Sequence, residues 1–222
     1  MVSAAAAAET KVLVETVKPG AEALGRLVAR FNLGRKMEAQ LQQAGLTTSL
    51  NTLLIQMVVL TMVGALLGAR FPMLISPTLS IVAGAFVCGL LPYLYVLNVR
   101  HKRLAAFEEQ FPEALDFLAR AMRAGHAFTI SLEMLADESQ PPLSPEFRKV
   151  FNEHNLGLPI ETALKNLVGR MPLLDVRFFV SAVLLQRETG GNLAEVLTKL
   201  AYIIRERFKL KGQVKAASAH GR

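Results

Sequence analysis

The chain has 222 residues, is 52% hydrophobic but only 7% aromatic, and carries one Cys, no Trp and a net charge of +7. A single cysteine excludes an intrachain disulfide and a Cys-rich zinc site. A mean hydropathy of +0.34 is high for an ordinary soluble domain, so the apolar excess must be concentrated in particular segments. In a membrane chain the positive balance points to a cytoplasmic face at anionic lipid. No basic recognition module is present, so nucleic acid is not an expected partner.

The opening stretch MVSAAAAAET lacks the basic start of a signal peptide, and Glu9 and Lys11 interrupt any apolar run. Residues 21–45 read as an amphipathic helix with Leu24, Leu27, Val28, Phe31, Met37 and Leu41 on one side. Its basic side suits a membrane surface, and a plain helical lead-in suits it equally. Residues 1–49 are therefore assigned to an N-terminal cytoplasmic helical segment.

Two charge-free runs follow, 50–69 and 74–99, each long enough to cross a hydrocarbon core of roughly 20 residues' helix length. Only Arg-Phe-Pro-Met separates them, so 50–99 is expected to be a transmembrane hairpin of antiparallel helices. Arg26, Arg30, Arg35 and Lys36 precede it, Arg100, His101, Lys102 and Arg103 follow it, and the turn carries Arg70 alone. The positive-inside rule puts both flanks in the cytoplasm. No Asp, Glu, Lys or Arg lies within the runs, which argues against a transporter. Gly64 with Gly68, and Ala85 with Gly89, have the small-xxx-small spacing that lets helices approach closely. Pro77 suits a first helical turn, Pro92 a kink near the end of the second span, and Cys88 a small apolar residue. Tyr93 and Tyr95 suit the interface.

Residues 100–222 have helical periodicity throughout and divide into six short amphipathic segments, an all-α bundle. The first, about 104–124, places Phe107, Phe111, Leu115, Leu118 and Met122 on one face, with Pro112 a possible break and Gly125 a stop. The second runs from Thr129 to about Glu138. Ser144 is expected to cap the third, with Pro145 at its first position. Gly157 to Pro159 close the third and open the fourth, whose inner stripe is Ile160, Ala163, Leu164, Leu167, Val168 and Met171. The fifth, Leu173 to Thr189, is read with Leu174, Phe178, Ser181 and Leu185 inward. The sixth begins after Gly191, with Leu193, Val196, Leu197, Leu200, Ile203, Ile204 and Phe208 on one side. Its basic end, with Arg205, Arg207, Lys209, Lys211, Lys215 and Arg222, suits a membrane surface or a solvated face.

Between the fifth and sixth segments stands Gln-Arg-Glu-Thr-Gly-Gly-Asn-Leu-Ala-Glu-Val-Leu, residues 186–197. A glycine pair invites a phosphate-loop reading, but a P-loop needs a preceding strand and a closing Gly-Lys-Ser/Thr. Here helices flank it. Gly190 is expected to stop one helix in the left-handed conformation and Asn192 to cap the next, with Glu195 reaching back to complete a capping box. His101, His126, His154 and His220 are scattered without metal-ligand spacing. Glu108-Glu109 and Asp137-Glu138 read as solvated faces. No catalytic motif occurs, so no enzyme activity, metal or cofactor is expected.

Three stretches, Phe111–Leu135, Pro159–Leu197 and Ile204–Arg222, resemble the cytoplasmic domain of the type II secretion F family, in particular the platform proteins of tight-adherence (Flp) pilus systems. The resemblance implies a six-helix cytoplasmic domain on a multi-pass protein of the bacterial inner membrane. It implies a non-enzymatic platform, homo- or hetero-oligomeric, that couples a cytoplasmic secretion ATPase to pilin insertion beside a sister (TadC-like) platform subunit. Family members continue into further spans, so this sequence is read as stopping before them. A partner surface is expected at the helix joint: Arg187, Glu188, Gly190, Gly191, Asn192 and Glu195, with pure capping as the alternative for Gly190, Gly191 and Asn192. The competing reading of the whole is a membrane-tethered regulatory or enzymatic helical domain.

Overall fold

A computed structural model describes residues 33–45, 50–70 and 77–220. The expected helix positions Leu24, Leu27, Val28 and Phe31 lie outside these, as do the turn at 71–73 and the last two residues. The described residues form eight helices and no strand: α1 (Leu33–Ala44), α2 (Leu50–Arg70), α3 (Pro77–Arg123), α4 (Phe128–Glu138), α5 (Leu143–Asn155), α6 (Ile160–Arg170), α7 (Leu174–Thr189) and α8 (Leu193–His220). The chain divides into two compact units, Met1–His101 and Lys102–Arg222.

In the first unit, Leu41 and Ala44 of α1, Leu53 of α2 and Val96 of α3 are each 4% exposed and form one small cluster. Arg100 Nε donates to Gln43 Oε1 at 2.6 Å beside it. Helices α2 and α3 contain windows apolar enough to cross a membrane, with hydropathies of 2.1 and 2.0. Only 17% and 11% of those windows are buried, whereas a core helix of a soluble protein would be mostly covered. Met62, Leu66, Val82 and Phe86 instead stand open along their flanks.

Small residues bring α2 and α3 together. A Cβ built on Gly64 would collide with the Gly84 carbonyl and with Cys88, and one on Gly68 with the Ser80 carbonyl. On Gly84 it would lie 2.5 Å from the Gly64 oxygen, and on Gly89 2.5 Å from Thr61 Oγ1. The contact is therefore backbone against backbone. The expected Gly64/Gly68 spacing does pack, Gly64 against Gly84 and Cys88 and Gly68 against Ser80; of the Ala85/Gly89 spacing, Gly89 lies against Thr61.

The second span and the first domain segment, read from sequence as separate helices, are one helix. α3 runs unbroken through Pro92 and Pro112 to Arg123. The linking stretch Arg100–Gln110 holds no Gly, Pro or turn residue, and Arg, Leu, Ala, Lys, Glu and Gln all propagate a helix well. Gly125, with φ +96, then ends α3. Its N–H donates to the Met122 carbonyl and that of His126 to the Ala121 carbonyl, the paired bonds of a Schellman stop.

The second unit closes around one core. Phe107, Phe111, Leu115 and Leu118 of α3 meet Leu132, Phe147, Leu164, Leu167, Phe179 and Leu197, all fully buried. Four rings lock its centre: Phe107 stacks on Phe111 and Phe147 at 5.5 and 6.3 Å, while Phe179 meets Phe111 and Phe147 edge-on at 5.8 and 6.2 Å.

Two local expectations fail here. Ser144 does not cap α5. The N-cap is Pro142, Pro145 lies within the first turn, and Ser144 Oγ donates to the Ala136 carbonyl at 2.6 Å, which ties α5 back to α4. On α7 the inward face is Val176, Phe179, Val180 and Val183; Leu174, Phe178 and Leu185 are 58%, 53% and 57% exposed, and Ser181 is exposed too. Ile203 of α8 likewise faces out. Both faces of α7 are apolar, so periodicity could not choose between them. Packing chooses, through Phe179 in the ring cluster and the buried Asp175 held by Arg207.

Candidate functional site

The α7–α8 joint is built by backbone chemistry that needs these residue types. Gly190 adopts φ +73, ψ +22, and its N–H donates to the Gln186 carbonyl at 2.9 Å. A β-carbon is strained in that region, so the stop favours glycine. Two residues on, Asn192 Oδ1 accepts the Glu195 N–H at 3.3 Å and caps α8. The reciprocal arm of the expected capping box is replaced: the Glu195 carboxylate pairs with Lys199 at 2.7 Å, and this hydrogen bond holds its carboxyl below the ordinary value. Gly191 is less constrained: a Cβ there would meet only the end of the flexible Gln186 side chain, which can turn aside, and whose Oε1 is buried without a hydrogen-bond partner.

All six residues singled out at this joint are exposed, but only two of them share a cavity. Arg187 and Gly191 line a hollow of about 340 Å³ together with Met122, Ala127, Phe128, Thr129, His154, Gln186 and Leu193. Glu188, Gly190, Asn192 and Glu195 stand outside its lining. Beyond Gln186 and Leu193 of the two joined helices, the wall residues come from the end of α3, the start of α4 with Ala127 before it, and α5. His154 Nδ1 lies 3.0 Å from the Leu158 carbonyl. The first turn of α4 has no side-chain cap. A larger hollow of about 490 Å³ lies between α3 and the α4–α5 turn, with Glu113, Glu138 and Arg120 around Phe117, Leu135 and Leu143.

Two ion-pair clusters hold helices together. Glu146 is fully buried; Arg103 Nη2 and Arg170 Nε each donate to it at 2.6 Å, and Lys149 Nζ at 3.2 Å. Arg170 also reaches Glu153 at 2.7 Å, and Glu153 accepts from Asn166 at 2.9 Å. Burial pushes the Glu146 carboxyl up, but the two guanidinium groups and the ammonium outweigh it and leave it below the ordinary value. Elsewhere Arg207 joins Glu108 at 3.0 Å to the buried Asp175, and Arg205 holds Asp116 at 2.5 Å. Each of these carboxylates is paired with at least one cation, and the pairs tie helices of the second unit together. Among the described residues no group of three or more His, Cys, Asp or Glu is arranged to hold a metal ion.

Residues 114–221 match the family model described as Type II secretion system (T2SS), protein F. The interval takes in the end of α3 and all of α4 to α8, and so includes most of the core and the whole cavity wall at the α7–α8 joint. No curated protein and no solved structure matches the chain.

Proposed function

We propose that this chain is a non-enzymatic platform protein of the bacterial inner membrane. In this reading it couples a cytoplasmic secretion ATPase to pilin insertion during assembly of a type IV-like (Flp/Tad) pilus or a type II secretion apparatus. The observation that carries the proposal is the family match over 114–221 in a chain whose other half holds two helices of spanning length and composition. Proteins of that family are generally non-enzymatic and work with a secretion ATPase and other platform subunits. The finer assignment, a TadB-like subunit beside a TadC-like sister, rests on the resemblance of Phe111–Leu135 and Pro159–Leu197. The division into a leading segment (1–49), a membrane hairpin (50–99) and a cytoplasmic domain (100–222) follows from the charge pattern, with both flanks of the hairpin inside.

The docking surface for the ATPase is assigned to the α7–α8 joint. Connections between helices carry binding residues disproportionately, and at this one all six residues singled out from the sequence are exposed. The test is co-purification of the full chain, extracted in mild detergent with its sister subunit, with the secretion ATPase encoded by the same bacterium. The intact pair is expected to retain the ATPase, and a variant carrying Arg187→Ala, Glu188→Ala and Asn192→Ala to retain much less. Equal retention by both removes the joint from the interface. Loss of the gene with pili still assembled removes the platform role.

A further inference from the structure

The wall of the α7–α8 cavity is chemically one-sided. Its ionisable side chains are Arg187 and His154, and no carboxylate lines it. Arg103, Arg148, Arg170, Arg205 and Arg207 each hold a carboxylate. Arg120, Arg123, Arg177 and Arg187 of the same unit form no ion pair among the described residues; of these Arg187 alone lines this cavity, and it is exposed. The remaining wall is mixed: Met122, Ala127, Phe128 and Leu193 are apolar, Thr129 and Gln186 are neutral polar side chains, and Gly191 offers only backbone. A cation is disfavoured beside Arg187, and a wholly polar anion leaves the apolar wall wet. At about 340 Å³ the space is near the lower limit of ligand pockets, suited to one or two side chains rather than a nucleotide.

We propose that this cavity receives an Asp or Glu side chain, together with a neighbouring aliphatic or aromatic side chain, from the protein that docks on the joint. The carboxylate meets the Arg187 guanidinium, whose planar fork of donors matches it, and the apolar neighbour covers Phe128 and Leu193. The inference rests on the joint being a docking surface, and adds which chemistry that surface selects.

The experiment uses the full chain in detergent micelles and three dye-labelled pentapeptides, Gly-Leu-Glu-Leu-Gly and its versions with Gln or Lys in place of Glu. Fluorescence anisotropy reads binding, with free acetate as competitor. The Glu peptide is expected to bind about fivefold or more tightly than the Gln peptide. R187Q should abolish that preference, R187K should keep part of it, and the Lys peptide should bind least. Displacement by millimolar acetate, together with equal binding of a fourth peptide, Gly-Ala-Glu-Ala-Gly, would mean a small-anion site and overturn the peptide assignment. Equal binding of Glu and Gln peptides, no binding of any peptide, or a preference that R187Q leaves intact also overturns it. The two readings fail separately. If R187Q loses the peptide preference but keeps the ATPase, the chemistry stands and the ATPase assignment falls. If the joint variants lose the ATPase while the peptides show no preference, docking stands and the carboxylate falls.

Discussion

Glu146 shows what a single residue can hold. It is a fully buried carboxylate, linked to Arg103 of α3, Arg170 of α6 and Lys149 of its own helix. A buried charge loses several kcal/mol of hydration, and here only the surrounding cations compensate. Removing one partner is therefore worse than a surface ion pair would suggest. Arg170→Met should destabilise the chain by about 3 kcal/mol, read as a lower thermal midpoint by circular dichroism. An unchanged midpoint would mean that Arg103 and Lys149 suffice. The same geometry sets a pH dependence. The folded carboxyl titrates below its unfolded value of 4.5, so the unfolded chain takes up the proton first as pH falls. The stabilisation is complete above the unfolded value and is lost as pH falls through the folded one. Glu146→Gln should therefore melt lower than the parent at pH 7, and the gap should narrow as pH drops below about 4.5. A gap independent of pH would show that the charge does not matter. Gly190 is the other residue whose identity is dictated: at φ +73, Gly190→Val should cost about 1–3 kcal/mol, whereas Gly190→Asn should cost much less. Equal midpoints for the two variants would remove the left-handed assignment.

At the scale of elements, legibility depends on how far apart the deciding residues lie. The α7–α8 joint could be read because its parts are at most a few positions apart: Gly190 stops one helix, and Asn192 caps the next through the Glu195 N–H. The cavity beside it could not, because Phe128, His154 and Arg187 meet only after three helix pairs have packed. Glu146 was equally hidden, since its burial depends on arginines 43 positions before it and 24 after it. The inward face of α7 is illegible from the sequence for a third reason. Leu174, Phe178 and Leu185 form as good an apolar stripe as Val176, Phe179 and Val183, and amphipathicity carries no information when both sides are apolar. Adjacent phenylalanines separate the two readings. Phe179→Ala should cost about 3–5 kcal/mol through a cavity in the ring cluster, while the half-exposed Phe178→Ala should shift the midpoint little. Comparable losses from both would restore the original orientation. The hairpin is simpler, because small residues at the spacing of one helical turn allow few alternatives. Gly64 lies against Gly84 and Cys88 with no room for a side chain.

For the whole molecule, composition gave the strongest early constraint. A mean hydropathy of +0.34 with 25 Lys and Arg cannot be spread evenly over one soluble fold. The structure divides it into a unit with thinly covered apolar helices and a unit with a dense aromatic core. In the proposed reading, the direction in which α2 and α3 cross a membrane depends on charge asymmetry, which acts during insertion rather than through packing. Four cations stand at 26–36, three Lys or Arg at 100–103, and Arg70 alone between the spans. Alkaline phosphatase, which is active only outside the cytoplasm, should be active when fused after residue 72 and inactive when fused after residue 103. Green fluorescent protein, which matures in the cytoplasm, should show the reverse pattern. The asymmetry itself can be weakened: adding three lysines to the 70–73 turn while replacing Arg26, Arg30, Arg35 and Lys36 with glutamine should lower phosphatase activity at residue 72 and raise it at residue 103. Activity at 103 in the unaltered chain would place the second unit on the far side of the membrane, where no cytoplasmic ATPase could reach the α7–α8 joint, and the platform reading would fall with it.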